Sequence, residues 1–137
     1  ATRSTTTPLV KAGETILIVD DDPTVRMLLK DVLSELGYTV LDAADSIEGL
    51  ETLRSNAQID LLITDVGLPG GMNGRQMADA GREIRPKLKT LFITGYAENA
   101  VIGSAQLGPG MQVLTKPFAV DTLVSRVSDL LYEAKMP

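Results

Sequence analysis

Four aspartates follow two short apolar runs of the sequence, and carboxylates in such positions can bind a metal ion. Asp20, Asp21 and Asp22 follow one short apolar run, and Asp65 follows another. Carboxylates held close together repel one another, and a bound cation relieves that repulsion. The chain contains no histidine and no cysteine, so the available ligands are oxygens. Oxygen ligands favour Mg²⁺, with Ca²⁺ or Mn²⁺ as possible substitutes.

Helix capping is the alternative role for the aspartate triplet, because aspartate accepts hydrogen bonds from the first amides of a helix. We assign that role to Asp22, which directly precedes Pro23 at a predicted helix start. Capping one helix cannot account for an acid that follows a different apolar run. Asp20, Asp21 and Asp65 are therefore predicted to act together.

Asp65 is predicted to be a nucleophile for phosphoryl transfer. An aspartate is ionised at neutral pH and needs no general base to attack phosphorus. Such a reaction also needs a cation and hydrogen-bond donors around the acceptor. Thr94 and Lys116 follow two further apolar runs and can supply these groups. In isolation Thr94 would be a strand residue and Lys116 a surface lysine, so the functional interpretation depends on their placement.

The alternation of short apolar runs with segments of helical periodicity predicts βα units around a parallel sheet. In such sheets, ligands bind beyond the carboxyl ends of the strands. Four of the five predicted strands end in an acid, a hydroxyl or an ammonium group, and only the second does not, so a single site is expected. The strands are predicted at Thr15 to Val19, Tyr38 to Leu41, Leu61 to Thr64, Thr90 to Ile93 and Gln112 to Thr115.

The helices are predicted from apolar stripes and from their end signals. The first helix is expected to begin after Asp22 and to end at Gly37, which can adopt a left-handed conformation. Further helices are expected from about Ser46, from about Asn73 to Ile84, and near the end of the chain. A glycine-rich segment follows the fourth strand, so any helix there should be short or mobile. The first stripe contains Val25, Leu28, Leu29, Val32, Leu33 and Leu36.

Composition restricts the classes of function. A chain of 137 residues with 44% hydrophobic and 23% charged residues is typical of one globular domain. We expect a flexible tail at residues 1–13 and the domain at residues 14–134. No segment is typical of a membrane span or an export signal, so a cytoplasmic location without membrane contact is expected. The net charge of −5 argues against direct nucleic-acid binding.

From Glu14 to about Glu133 the chain resembles the receiver domains of bacterial response regulators and hybrid histidine kinases. The resemblance implies a flavodoxin-like, doubly wound (βα)5 fold with a five-stranded parallel sheet in the order 2-1-3-4-5. Within that family, the chain is similar to the subgroup found in hybrid histidine kinases or as stand-alone receivers. The segments that carry the resemblance are ILIVDDDPTVR, LLITDVGLPGGMNG, LFITGYAENA and VLTKPF.

The resemblance also implies a two-component signalling role for individual residues. The phosphoryl donor would be a histidine kinase or a histidine phosphotransfer protein, and the downstream effector is unknown. The domain would be a phosphoacceptor with self-catalysed phosphorylation and dephosphorylation, rather than an enzyme with a separate substrate. The implied residues are Asp20 and Asp21 as the metal-binding pair, Asp65 as the phosphorylated aspartate, the Gly67 carbonyl as a further metal ligand, Thr94 as the switch hydroxyl and Lys116 as the phosphoryl contact.

Two features of the chain bear on the family pattern. Val113 occupies the position where receivers usually have an aromatic switch residue. We therefore hypothesise that Tyr96, two residues after Thr94, is the aromatic group that responds to phosphorylation. The family often has a cis bond between its lysine and the following proline, which makes Lys116–Pro117 a candidate.

The main alternative is a haloacid-dehalogenase-like phosphatase. Residues 20–24, with the sequence DDDPT, fit its Asp-x-Asp-x-Thr motif, in which Asp20 would attack and Asp22 would act as acid and base. That family needs a further acidic pair after the lysine, and Asp121 and Asp129 do not have the required spacing. A phosphate-free interaction module on the same fold is less favoured because the acidic site is intact.

Overall fold

Five parallel strands form one sheet, as expected from the sequence. The computed structural model describes residues 14–68, 71–95 and 110–135, with side chains as far as residue 132. The strand order is β2-β1-β3-β4-β5, and every pairing is parallel. This order confirms the flavodoxin-like fold. The strands are β1 Thr15–Val19, β2 Thr39–Ala43, β3 Leu61–Asp65, β4 Lys89–Thr94 and β5 Met111–Thr115.

Helices cover both faces of the sheet. In the described part of the chain they are α1 Pro23–Glu35, α2 Ser46–Arg54, α3 Gly74–Ile84 and α4 Val120–Lys135. α1 and α4 pack on one face, and α2 and α3 pack on the other. None of these helices is long and apolar enough to cross a membrane. The helix expected between β4 and β5, and the expected tail at residues 1–13, lie outside the described residues.

The three central strands, β1, β3 and β4, are buried on both faces, which is why they are largely apolar in sequence. In β1, Ile16 and Ile18 point into the core beneath α1 and α4. Leu17 and Val19 point into the core beneath α2 and α3. All four side chains are fully buried. The central strands are therefore rigidly enclosed, and polar groups are concentrated where the strands end.

Helix α1 begins and ends at the residues predicted from its capping signals. The Asp22 side chain accepts a hydrogen bond of 2.9 Å from the Thr24 amide. At the other end Gly37 has a φ of 101°, a conformation that glycine adopts at low cost. The amides of Gly37 and Tyr38 then bond to carbonyls in the last turn of the helix, as in a Schellman motif. These contacts fix the positions of the chain segments on either side of α1.

The apolar stripe of α1 is narrower than the sequence suggested. Leu29 and Leu33 are fully buried, whereas Leu28 is 46% exposed. Val25 and Leu36 pack partly against the core. Successive helical residues are separated by about 100° around the axis. Leu28 therefore points away from the direction of Leu29, although its spacing to Val25 and Val32 fits a helix.

Strand β2 differs most from its predicted position. Its first residue is Thr39 rather than Tyr38, because the Tyr38 amide bonds to Leu33 at the end of α1. It continues past Leu41 to Ala43, with Asp42 opposite Ile18 of β1. Because Asp42 is polar, the apolar sequence pattern did not indicate that the strand continues to Ala43. The second strand therefore does carry an acid near the functional edge, which corrects the expectation that it carries none.

Candidate functional site

The end of β1 places three consecutive aspartates in different environments. Asp20 is 1% exposed, whereas Asp21 and Asp22 are exposed. One oxygen of Asp20, Oδ1, accepts a hydrogen bond of 2.9 Å from the Asp22 amide. The other oxygen, Oδ2, is buried and has no hydrogen-bond partner among the described residues. Asp22 is occupied as the cap of α1, so the first two aspartates are the ones available to a ligand.

The end of β3 places Asp65 beside Lys116. The Asp65 Oδ1 atom accepts a hydrogen bond of 3.0 Å from the Gly67 amide. The Oδ2 atom lies 3.5 Å from the Lys116 ammonium nitrogen. Asp65 itself is 8% exposed. The carboxylate is thus held from two sides, by a backbone amide and by an ammonium group, and it keeps an accessible edge.

The start of α3 lies tightly against the end of β3. The Gly74 amide donates a hydrogen bond of 2.9 Å to the Val66 carbonyl. A Cβ atom built on Gly74 would overlap the carbonyl oxygen of Asp65. Only glycine permits so close an approach of α3 to the strand end. The start of α3 therefore helps to fix the backbone on which Asp65 is carried.

Thr94 is the last residue of β4, and Lys116 directly follows β5. Thr94 is fully buried. Its carbonyl accepts a hydrogen bond of 2.7 Å from the Lys116 amide, so the two strand ends are tied together. The Lys116–Pro117 bond is cis, as expected from the family resemblance. Val113 is half-buried and packs against the core beneath α2 and α3, whereas Tyr96 lies outside the described residues.

Three carboxylates come together in the way expected of metal ligands. One oxygen each from Asp20, Asp21 and Asp65 lies within 4.8 Å of the others. Burial raises the pKa of Asp20 from its ordinary value of 3.8 to about 6, and the charges of Asp65 and Asp21 add to this rise. The hydrogen bond from the Asp22 amide and the charge of Lys116 act in the opposite direction. A buried carboxylate with an unpartnered oxygen fits a cation site, because a cation would offset both penalties.

Two further charged residues support the acidic cluster and were not identified from the sequence. Arg26, on α1, donates a hydrogen bond of 2.7 Å to the Asp20 carbonyl. Its guanidinium also pairs with Asp42 of β2 at 3.3 Å. The only local sign of Asp42 in the sequence is an acidic residue directly after the apolar run that predicts β2. Pairing it with Arg26 required the register of β1 and β2, which the local pattern does not contain.

Comparison with known proteins gives sequence relatives of two kinds. The chain is 33% identical to the sensor kinase CckA of Brucella abortus over 123 residues, which are 89% of this chain and 13% of CckA. It is 34% identical to the response regulator receiver protein CpdR of Brucella abortus over 119 residues, which are 87% of this chain and 98% of CpdR. The chain therefore spans a small part of one relative and nearly all of the other.

Solved structures show the same fold. A response regulator receiver protein from Sinorhizobium medicae matches with a TM-score of 0.79 and 30% identity, covering 92% of this chain and 99% of that one. The Thermotoga maritima response regulator TrrA, solved in complex with Mg(2+)-BeF, matches with a TM-score of 0.73 and 31% identity, covering 85% and 98%. The sequence model described as the response regulator receiver domain matches residues 16–128. Together with the site geometry, these matches show that the chain belongs to the response regulator receiver domain family.

Proposed function

We propose that this receiver domain accepts a phosphoryl group on Asp65 in a Mg²⁺-dependent reaction. The observation that carries the proposal is the position of the Asp65 carboxylate. It lies 3.5 Å from the Lys116 ammonium nitrogen and within a cluster of three carboxylates. The donor would be a histidine kinase or a histidine phosphotransfer protein. Phosphorylation would then regulate binding to a downstream partner.

The chemical step needs little from the domain beyond positioning and charge. An Asp65 oxygen forms a bond to phosphorus while the bond between phosphorus and the donor histidine nitrogen breaks, and the electron pair leaves with the imidazole. Asp65 enters as a carboxylate and needs no base. The Lys116 ammonium group would stabilise charge on the transferred phosphoryl oxygens. The Thr94 hydroxyl, at the end of the adjacent strand, would donate a hydrogen bond to the product.

The cation would be held by Asp20, Asp21, Asp65 and the backbone carbonyl of Gly67. When bound, Mg²⁺ would supply positive charge to offset the carboxylates and the phosphoryl oxygens. The unpartnered Asp20 Oδ2 and the all-oxygen ligand set support this choice of ion. The similarity to TrrA, solved with Mg(2+)-BeF, supports it as well.

The phosphatase alternative receives less support from the same geometry. It needs Asp22 as an acid and base, but the Asp22 side chain caps the Thr24 amide. It also needs a further acidic pair at the site. Asp121 and Asp129 are exposed residues of α4 that line a groove with Val32 and Leu36 of α1. Neither belongs to the carboxylate cluster.

Beryllofluoride binding tests the proposal, because this anion mimics a phosphoryl group on aspartate. With Mg²⁺ present, it should shift the amide resonances of wild-type Asp65, Gly67 and Lys116. Asp65→Asn should show no such response. Asp22→Asn is the matched control, since it alters the same acidic run while asparagine preserves the helix cap, and it should respond like wild type. An unresponsive wild type, or an equal response in Asp65→Asn, would refute the proposal.

A further inference from the structure

Arg26 connects the backbone of the acidic cluster to a neighbouring strand. It lies one turn into α1, where its amide bonds to the Asp22 carbonyl at 3.0 Å. Its Nη1 atom donates to the Asp20 carbonyl at 2.7 Å, and its Nε atom lies 3.3 Å from an Asp42 oxygen. The Arg26 side chain is 20% exposed. A short contact from a mostly buried guanidinium is a strong form of hydrogen bond.

Asp42 is itself held in place by the sheet and by a second basic residue, Lys30. It lies opposite Ile18 in the β1–β2 register, and the Asp20 amide bonds to the next residue of β2, Ala43, at 3.2 Å. Lys30 lies 3.6 Å from the other Asp42 oxygen. The two bases differ in one respect. Arg26 reaches both Asp42 and the Asp20 backbone, whereas the one ion pair of Lys30 within the described part of the chain is with Asp42.

We propose that Arg26 is a positioning residue for the cation site: its guanidinium ties the Asp20 carbonyl to Asp42, and so holds the Asp20 carboxylate within the acidic cluster. This inference rests on the proposed function, since it assumes that Asp20 is a cation ligand. Asp20 follows the last residue of β1. Its carbonyl faces Arg26 while its carboxylate joins Asp21 and Asp65. Fixing the peptide at Asp20 therefore restricts the direction of its side chain.

The positive charge of Arg26, taken alone, would weaken Mg²⁺ binding and not strengthen it. The guanidinium is positive and lies next to a residue of the cation site, so it repels a divalent cation. If charge dominated, Arg26→Ala would bind Mg²⁺ more tightly than wild type, and Arg26→Lys would bind like wild type. If positioning dominates, both variants should bind more weakly. Lysine keeps the charge but lacks the planar fork that contacts Asp20 and Asp42 together.

Mg²⁺ titration of the purified, folded protein tests this inference without any phosphoryl donor. Loss of a group that orients a ligand typically weakens metal affinity about 10-fold or more, and we expect at least about that loss for Arg26→Ala and Arg26→Lys. Asp42→Asn should weaken binding in the same direction but less, because the Asp20 contact remains. Lys30→Ala should bind Mg²⁺ like wild type. Folding of each variant is checked by circular dichroism and thermal unfolding.

A second arginine, Arg85, serves as a control that distinguishes a role in Mg²⁺ binding from a role in stability alone. Arg85 donates to the carbonyl of Leu53 in the last turn of α2 and to those of Ser55 and Ala57 just after it, away from the acidic cluster. Arg85→Ala should lower the unfolding temperature while leaving Mg²⁺ affinity unchanged. The inference would be overturned if both Arg26→Ala and Arg26→Lys bound Mg²⁺ with wild-type affinity. It would also be overturned if Arg26→Ala bound Mg²⁺ more tightly than wild type. If Arg26→Ala does not fold, the affinity of Arg26→Lys alone tests the inference. If wild type binds neither Mg²⁺ nor beryllofluoride, the proposed function fails as well, whereas a responsive wild type with unaffected Arg26 variants refutes only the role of Arg26.

Discussion

Asp20→Asn is expected to stabilise the metal-free protein at neutral pH while removing most of its affinity for Mg²⁺. Asp20 is 1% exposed, and burial raises the pKa of its carboxyl from 3.8 to about 6. Each pKa unit corresponds to about 1.4 kcal/mol, so charging Asp20 costs the folded state about 3 kcal/mol. Asparagine is nearly isosteric and uncharged. It removes this cost, together with one of the carboxylates proposed to bind the cation.

The expected stabilisation depends on pH in a defined direction. Because the folded pKa of Asp20 lies above the unfolded value, the folded state retains the proton longer as pH rises. Wild-type stability attributable to Asp20 therefore falls between about pH 4 and pH 6 and is then constant. The advantage of Asp20→Asn should be present at pH 7 and absent below about pH 4. A Mg²⁺ concentration that saturates wild type should stabilise wild type much more than the variant.

Chemical denaturation at pH 7 and pH 4, with EDTA or with Mg²⁺, measures both effects. Asp21→Asn is the matched control, since it removes a neighbouring carboxylate that is exposed. Exposed substitutions usually change the free energy of unfolding by less than about 0.5 kcal/mol, although this one should also weaken Mg²⁺ binding. If Asp20→Asn were no more stable than wild type at pH 7, burial would not impose the inferred cost.

Acidification should weaken Mg²⁺ binding through competition with a proton on Asp20. A proton and a cation cannot both occupy the same carboxylate oxygens, so the apparent affinity falls once the pH drops below the carboxyl pKa of about 6. Well below that pH the loss approaches about 10-fold per pH unit, and above about pH 7 the affinity should be constant. The chain contains no histidine, so no imidazole titrates in this range.

Calorimetric or NMR titration with Mg²⁺ at pH 5, 6 and 7.5 tests this dependence. Circular dichroism at each pH establishes that the domain remains folded. Ionic strength is held constant, because exposed charges around the site are screened by salt. An affinity that did not change between pH 5 and pH 7.5 would show that Asp20 is not protonated in the metal-free site in this range.

Local sequence patterns predicted most of the fold because the strands and helices here have strong local signals. The caps of α1 and the apolar strands were recognisable from neighbouring residues alone. β2 was misplaced at both ends, since the Tyr38 amide bonds within the turn that ends α1 and Asp42 interrupts an apolar pattern. Leu28 was assigned to the buried stripe although its direction on the helix leaves it exposed. Strand order came from the family resemblance, because pairing between distant segments has no local signature.

The candidate site was predictable to the extent that it depends on strand ends. Parallel topology brings residues at the carboxyl ends of strands to one edge, so the proximity of Asp20 and Asp65, and of Asp65 and Lys116, followed from the element order. The different burial of Asp20 and Asp21 did not follow, because it depends on three-dimensional packing. The contact of Arg26 with the Asp20 carbonyl did not follow from the element order either, because it depends on how α1 is placed relative to the end of β1.

Identifying the aspartate that carries the phosphoryl group decides whether this domain is a phosphoacceptor at Asp65. The protein is treated with acetyl phosphate and Mg²⁺, the acyl phosphate is reduced with borohydride, and the modified residue is located by mass spectrometry of peptides. Asp65→Asn, treated identically, controls for nonspecific reduction. We expect modification at Asp65 in wild type and no modification at this position in the variant. Modification at Asp20 would refute phosphorylation of Asp65 and support the phosphatase alternative.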